Sequence, residues 1–204
     1  MTLGNVSKGL QVNPHYFGNI KIKDKNNKIK FFLTSTVQRN YKLFVNISER
    51  LKRENFDFNV VITGRYNTFN ISCIPEFLAN NFIFKYNISY SQLYEIVDNS
   101  DFIIIPLDPN NPYDIAFKTT KVSGSIQLVY GFLKPAIINK EFANFYNLNE
   151  KNIIYTDSNL YDAMRNAILM NAKKYKDLQS NLHSTEKDIY QTSIKNLKKA
   201  IHKI

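Results

Sequence analysis

Apolar and polar positions follow two periods along most of this chain. Phe31 to Val37 (FFLTSTV) is an unbroken apolar and β-branched run, which predicts a buried strand. From Tyr41 to Glu54, Leu43 and Phe44, Ile47 and Leu51 recur at helical spacing with charges between them. Phe58 to Thr63 (FNVVIT) predicts a second strand, ended by Gly64. Pro75 suits the first turn of a short helix over 74–80, and Phe82 to Tyr86 reads as a third strand. Ser89 or Ser91 caps a helix running to about Val97, and Phe102 to Pro106 (FIIIP) is a fourth strand stopped by proline. A Pro- and Asn-rich loop over 108–118 leads to a helix over Thr120–Leu133. Pro135–Ile138, Glu141–Tyr146, Asn152–Tyr155 and Leu160–Ala172 then read as strand, helix, strand, helix. The last helix, over Thr185–Ile204, carries Ile189, Ile194, Leu197, Ile201 and Ile204 in one stripe, with lysines filling the rest.

Strands that are apolar on both faces and alternate with helices call for a parallel sheet covered on both sides. About six such units over 31–172 predict an α/β, doubly wound, Rossmann-like domain. Residues 1–30 read as a basic extension or linker, and 173–204 as a basic amphipathic C-terminal helix. In sheets of this kind ligands lie beyond the carboxyl ends of the strands. The loops after strands one, two, four and five are therefore the places to search for chemistry.

Composition narrows the classes. The 204 residues suffice for one well-filled core, and an apolar content of 44% excludes a disordered or fibrous chain. Cys73 is the single cysteine, and His15, His183 and His202 are too scattered for ligand spacing, so no metal site is expected. The longest apolar run, Phe102–Leu107, is too short to span a bilayer, and Met1–Leu10 has no apolar leader core, so a cytoplasmic protein is expected. The formal charge is +10, but residues 31–172 hold thirteen basic and thirteen acidic side chains, and the excess is confined to the ends. Richness in Lys, Asn, Ile, Phe and Tyr without Trp fits the usage of an AT-rich genome. Only five of the cations are Arg, which argues against nucleic acid as partner. The basic terminal helix could instead lie on the inner face of a membrane or dock on a partner domain.

The chain has no G-x-G-x-x-G after the first strand and no Walker A loop, which argues against a dinucleotide enzyme or P-loop ATPase. No Ser-His-Asp or Cys-His arrangement can be argued. The strongest anion candidate is Lys118-Thr-Thr-Lys-Val-Ser-Gly-Ser125, where hydroxyls, lysines and a glycine meet a helix start. Arg39 and Lys42 follow strand one, in a first helical turn where the helix dipole disfavours cations unless they serve a ligand. Gly64-Arg65 after strand two is a third candidate. Asp108 and Asp114 read as solvated loop carboxylates, and His15 and Cys73 as packing residues.

The order of these segments resembles the C-terminal, donor-binding half of GT-B glycosyltransferases, from about Pro14 to Leu182. The segment Phe58-Asn-Val-Val-Ile-Thr-Gly64 looks like the family's second strand. The stretch Phe82 to Pro106, with Gln92-Leu-Tyr-Glu-Ile-Val-Asp-Asn-Ser-Asp101 at its centre, parallels its strand, "eLxxLYxxAD" helix and "lxPS" strand. Ser123 to Ile138 is similar to the helix and "G-x-P-V-I" strand that follow, and Asn152 to Ile168 to the closing segment. The resemblance implies a UDP- or GDP-linked sugar as substrate and no cofactor. It assigns Arg39, Lys42, Thr119, Thr120, Lys121, Ser123, Gly124 and Ser125 to the donor diphosphate or sugar. It assigns Gly64, Arg65, Tyr86, Asn87 and Ile88 to the base and ribose. The sequence departs from the pattern in two places. Where many retaining members carry two Glu, this chain has Thr119/Thr120 and Leu128, and Leu107 replaces the "PS" serine. The resemblance further implies an N-terminal acceptor domain or partner subunit outside this chain, and sugar transfer in bacterial surface polysaccharide or glycan synthesis. The alternative is a non-catalytic module of the same fold that docks a partner through its last helix.

Overall fold

The computed structural model describes residues 20–34, 41–65, 74–118, 121, 123–146, 148, 153–156 and 159–202. Six parallel strands form one sheet: β1 (Ile29–Thr34), β2 (Phe58–Gly64), β3 (Phe82–Tyr86), β4 (Phe102–Ile105), β5 (Ala136–Asn139) and β6 (Ile154–Thr156). Their order across the sheet is β3-β2-β1-β4-β5-β6. The doubly wound, Rossmann-like parallel sheet expected from the apolar runs is the fold observed. β1 begins at Ile29, two residues before the apolar run, because Ile29 and Lys30 pair with Phe58 and Asn59 of β2.

Alternation along the strands divides the core into two layers. Phe31, Leu33, Val60, Ile62 and Ile104 pack with α1 (Tyr41–Arg53) and α6 (Leu160–Leu169). Phe32, Ile103, Ile105 and Ile138 face the other way, toward α2 (Tyr90–Asp98), α4 (Gly124–Phe132) and α5 (Lys140–Phe145). Helices therefore cover both faces, as strands without a polar side require. Between β4 and α4, where the sequence reads as plain loop, α3 (Pro112–Ile115) and a 3-10 turn (Ala116–Lys118) form instead. Asp114 is buried in that segment rather than solvated: its carboxylate accepts from the Asp108 backbone N–H at 3.0 Å and so folds the loop back on itself.

The final helix, α7 (Ala172–Ile201), starts thirteen residues before the expected Thr185. The polar string 173–184 hides a stripe at helical spacing, Tyr175, Leu178 and Leu182, and all three are buried. Tyr175 and Leu178 belong to one core layer and Leu182 to the other, so α7 passes from face to face. It crosses at the amino edge, where the Tyr175 hydroxyl donates to the Asp101 carbonyl at 3.0 Å, one residue before β4. Residues 20–28 lie against the same edge. The buried Asp101 carboxylate accepts from the backbone N–H groups of Asn26 and Lys30, both at 2.8 Å. Lys134 is buried beside them, and its ammonium donates to the Asp98 carbonyl at 2.7 Å. Burial draws the Lys134 pKa down to about 8, against the attraction of Asp98.

Farther along α7, Glu186 is buried, and this pushes its carboxyl pKa up to about 7, with Lys187 opposing. Because the folded value lies above the unfolded one, the folded state holds a proton that the unfolded chain has already released. Stability from this group is therefore lost as pH rises from about 4.5 to about 7, and is flat above. Glu186→Gln is expected to raise the melting temperature at pH 8 by about 2–4 °C, on the order of 1 kcal/mol. Near pH 4 it should have no effect, and a pH series of thermal unfolding curves checks both.

Candidate functional site

The strand order reverses between β1 and β4, so the crevice between their carboxyl ends is the topological switch point of the sheet. Two helices aim their N-termini there, α1 after β1 and α4 after β4. Neither carries an acid in its first turn. The start of α4 is fixed at this place by a hydroxyl pair: Thr34 Oγ1 at the end of β1 and Ser125 Oγ share a hydrogen bond of 3.1 Å.

The N-terminus of α4 is unlike its neighbours. Side chains cap α2 (Ser89, in a capping box with Gln92), α3 (Asn111), α5 (Asn139), α6 (Asn159) and α7 (Asn171). Among the α-helices whose N-cap is described, α4 alone has none: Ser123 sits at that position with no capping bond from its side chain. The first residue of the helix is Gly124, exposed, where an added Cβ would meet nothing within 4 Å. A partial positive charge of about half a unit is thus left facing an open space at the switch point.

The predicted site residues distribute around this opening as follows. Ser123, Gly124 and Ser125 form the start of α4. The hydroxyl of Ser125 is buried against Thr34, which leaves its backbone N–H, in the first turn of α4, as the donor it has for a ligand. Lys121 is exposed, its ammonium 5.9 Å from the centre of the Phe117 ring. Lys118 is engaged elsewhere, paired with Glu141 and 4.9 Å from the centre of the Phe142 ring. Lys42 is exposed in the first turn of α1, at the same carboxyl edge. Arg39, Thr119 and Thr120 lie outside the described residues.

The second group of residues gathers two strands away. Gly64 ends β2 and pairs with Tyr86, the last residue of β3. Asn87 turns the chain there with a left-handed backbone (φ 51°), and its N–H donates to the Gly64 carbonyl at 3.0 Å. Ile88 is half-buried and Arg65 exposed. From this turn to β4 is three strand spacings, about 14 Å along the carboxyl edge. Sequence reasoning missed Thr34 and Tyr146. Tyr146 is buried between Phe117 and Ser123, and its hydroxyl donates to the Phe117 carbonyl at 2.8 Å. Burial raises its pKa, and the hydrogen bond from Ser123 opposes the rise. Among the described residues no three His, Cys, Asp or Glu side chains gather so as to hold a metal ion, and no helix is long and apolar enough to cross a membrane.

Comparison with solved structures gives this architecture a place. The crystal structure of TarM superposes with a TM-score of 0.64 at 12% identity, over 91% of this chain and 36% of that one. An alpha-glucosyltransferase (AGT) in complex with UDP gives 0.60 at 13% identity, over 87% and 51%. An E. coli structure described as trehalose-6-phosphate bound with UDP-2-fluoro glucose gives 0.56 at 9% identity, over 85% and 44%. The chain has the fold of one half of a GT-B glycosyltransferase. It spans about a third to a half of the length of the structures it matches. No family model and no curated protein sequence matches it. The GT-B resemblance of the sequence, carried by segment order from β2 to α6, thus agrees with the three-dimensional likeness.

Proposed function

We propose that this chain is the donor-binding half of a glycosyltransferase and holds a UDP- or GDP-linked sugar along the carboxyl edge of its sheet. The observation that carries the reading is the uncapped N-terminus of α4 at the switch point, pinned by Thr34 and Ser125. A diphosphate set against Gly124 and Ser125 meets N–H donors that make no hydrogen bond to a described residue, and the positive end of the helix dipole, with exposed Lys42 and Lys121 as cations at the same edge. The nucleoside then extends toward the Gly64–Asn87 turn, about 14 Å along the edge. Two of the similar structures are complexes with UDP or a UDP-sugar, which supports a diphosphate nucleotide as the ligand class.

The contribution to sugar transfer is electrostatic. When the bond between sugar and diphosphate breaks, charge accumulates on the leaving diphosphate. Fixed N–H dipoles and cations that already point there stabilise it without reorganisation. Thr119/Thr120 and Leu128 stand where paired carboxylates would be in many retaining members, and Leu128 is buried. The described part of this half therefore supplies donor binding and leaving-group stabilisation, and the acceptor and its activating group come from a second half. Transfer to a bacterial surface polysaccharide or glycan in the cytoplasm is the setting this reading favours. Isothermal titration with UDP, GDP and their sugars tests the reading. Binding of one of them below millimolar concentration is expected, and no binding by any of them rejects it.

A further inference from the structure

The loop that carries Lys118 and Lys121 into α4 is closed by a side chain that the donor reading has not used. Tyr146 follows α5 and is buried beneath the loop, its own backbone N–H held by the carbonyls of Phe142 and Ala143. Its hydroxyl makes two bonds to opposite ends of the loop. It donates to the Phe117 carbonyl at 2.8 Å and accepts from the Ser123 N–H at 3.4 Å. A third bond inside the loop, from the Lys121 N–H to the Ala116 carbonyl at 2.9 Å, draws it tighter. The phenol oxygen is therefore the common point through which the entry and exit of the loop are joined.

The consequence for the α4 terminus is specific. Ser123 is its N-cap residue, and the N–H of Ser123 is turned inward to Tyr146. That leaves Gly124 and Ser125 with the first N–H groups of the helix that make no hydrogen bond to a described residue. Thr34 fixes α4 from the β1 side, and Tyr146 fixes it from the β5–α5 side. Terminal hydrogen-bond donors are useful to an anion only if they are held in place before it arrives.

We infer that Tyr146 is a positioning residue, a clasp that ties Phe117 to Ser123 and so holds the start of α4 in the place that receives a diphosphate; this rests on the donor-binding reading for its ligand. Tyr146 does not touch the ligand. It acts through the Phe117 carbonyl and the Ser123 N–H. The bonds themselves are testable without any ligand, which separates the clasp from the reading it serves.

Tyr146→Phe removes one oxygen atom and keeps the ring that fills the site. Tyr130→Phe is the control. Tyr130 is buried nearby, and its hydroxyl donates to the Tyr146 backbone carbonyl at 3.3 Å, away from the loop. In the unliganded protein, amide hydrogen exchange of Lys121 and Ser123 is expected to become about tenfold faster in Tyr146→Phe, with the strand amides unchanged, and to stay unaltered in Tyr130→Phe. UDP or GDP, whichever the wild type takes, is expected to bind Tyr146→Phe about tenfold more weakly, whereas the matching nucleoside binds both proteins equally. Unchanged loop exchange in Tyr146→Phe overturns the clasp. Equal nucleotide affinity in wild type and Tyr146→Phe, or an equal loss in Tyr130→Phe, overturns the positioning role. If the wild type binds neither nucleotide, the donor reading and the positioning role fall together, while faster loop exchange would still establish the clasp as a structural bond.

Discussion

Replacing Tyr175 with alanine is expected to cost about 3–5 kcal/mol of stability, the range for deleting a fully buried aromatic ring. In a chain of this size that corresponds to a fall of roughly 6–20 °C in melting temperature. Tyr175 is 1% exposed and sits at the end of a run of rings that crosses the sheet. Its ring meets Phe102 edge-on at 5.4 Å between centroids; Phe102 lies 6.0 Å from Phe31, and Phe31 lies 6.3 Å from Phe58. The run joins α7 to the three central strands β4, β1 and β2. Tyr175→Phe keeps the rings and loses only the bond to the Asp101 carbonyl, so about 1 kcal/mol is expected for it. Calorimetry or circular dichroism on the two variants gives both numbers. A fall of less than 2 °C in the alanine variant would mean that α7 unfolds apart from the sheet, contrary to its membership of both core layers.

Tyr175 also marks a limit of what the sequence makes legible. The strands were readable because residues such as Phe102–Ile105 are apolar on both faces, and that pattern calls for a parallel sheet covered on both sides. The start of α7 was not, because its stripe of Tyr175, Leu178 and Leu182 is diluted by Lys173, Lys174, Lys176 and Asp177 on the exposed side. A single turn at a time, that string reads as solvated linker, and only its burial against Phe102 and α4 shows otherwise. Asp114 misleads in the opposite direction: a carboxylate between prolines and asparagines suggests solvent, yet it is spent on the Asp108 N–H.

For the candidate site the order of segments put Gly64, Lys42 and the Ser123–Ser125 stretch at the carboxyl edge of the sheet, and the fold has them there, at or after the end of β2, β1 and β4. The supporting hydroxyls were not legible. Thr34 lies 91 residues from Ser125, and Tyr146 lies 29 from Phe117, and neither spacing leaves a local signal. Contacts of that range come from strand order, and strand order is where the sequence alone runs out. The missing cap on α4 is a related case. Ser123 is a good cap residue by type, yet in the fold its side chain makes no capping bond.

That open terminus gives the sharpest test of ligand position. Gly124→Asp is expected to leave the fold intact or slightly more stable, because the added Cβ meets nothing within 4 Å. A carboxylate in the first turn also matches the helix dipole, and replacing glycine restricts the unfolded chain. Binding should suffer. A fixed negative charge about 6–7 Å from a phosphate, at an effective dielectric near 20, costs about 2–3 kcal/mol, which is a loss of ~30- to 150-fold in affinity. Gly124→Asn adds nearly the same volume without the charge and should keep most of the affinity. The gap between the two variants should narrow as salt is raised, because the site is open to solvent. Titration of UDP or GDP into the three proteins at low and high ionic strength reads all of this. If the aspartate variant binds the nucleotide as tightly as the wild type, the diphosphate does not lie at the start of α4. The cations after β1, Lys42 among them, would then be the place to look. If the asparagine variant loses as much as the aspartate one, the glycine is there for the close approach of a ligand backbone, and charge is secondary. The two variants thus separate an anion site from a merely narrow one, using a residue whose replacement the fold itself does not resist.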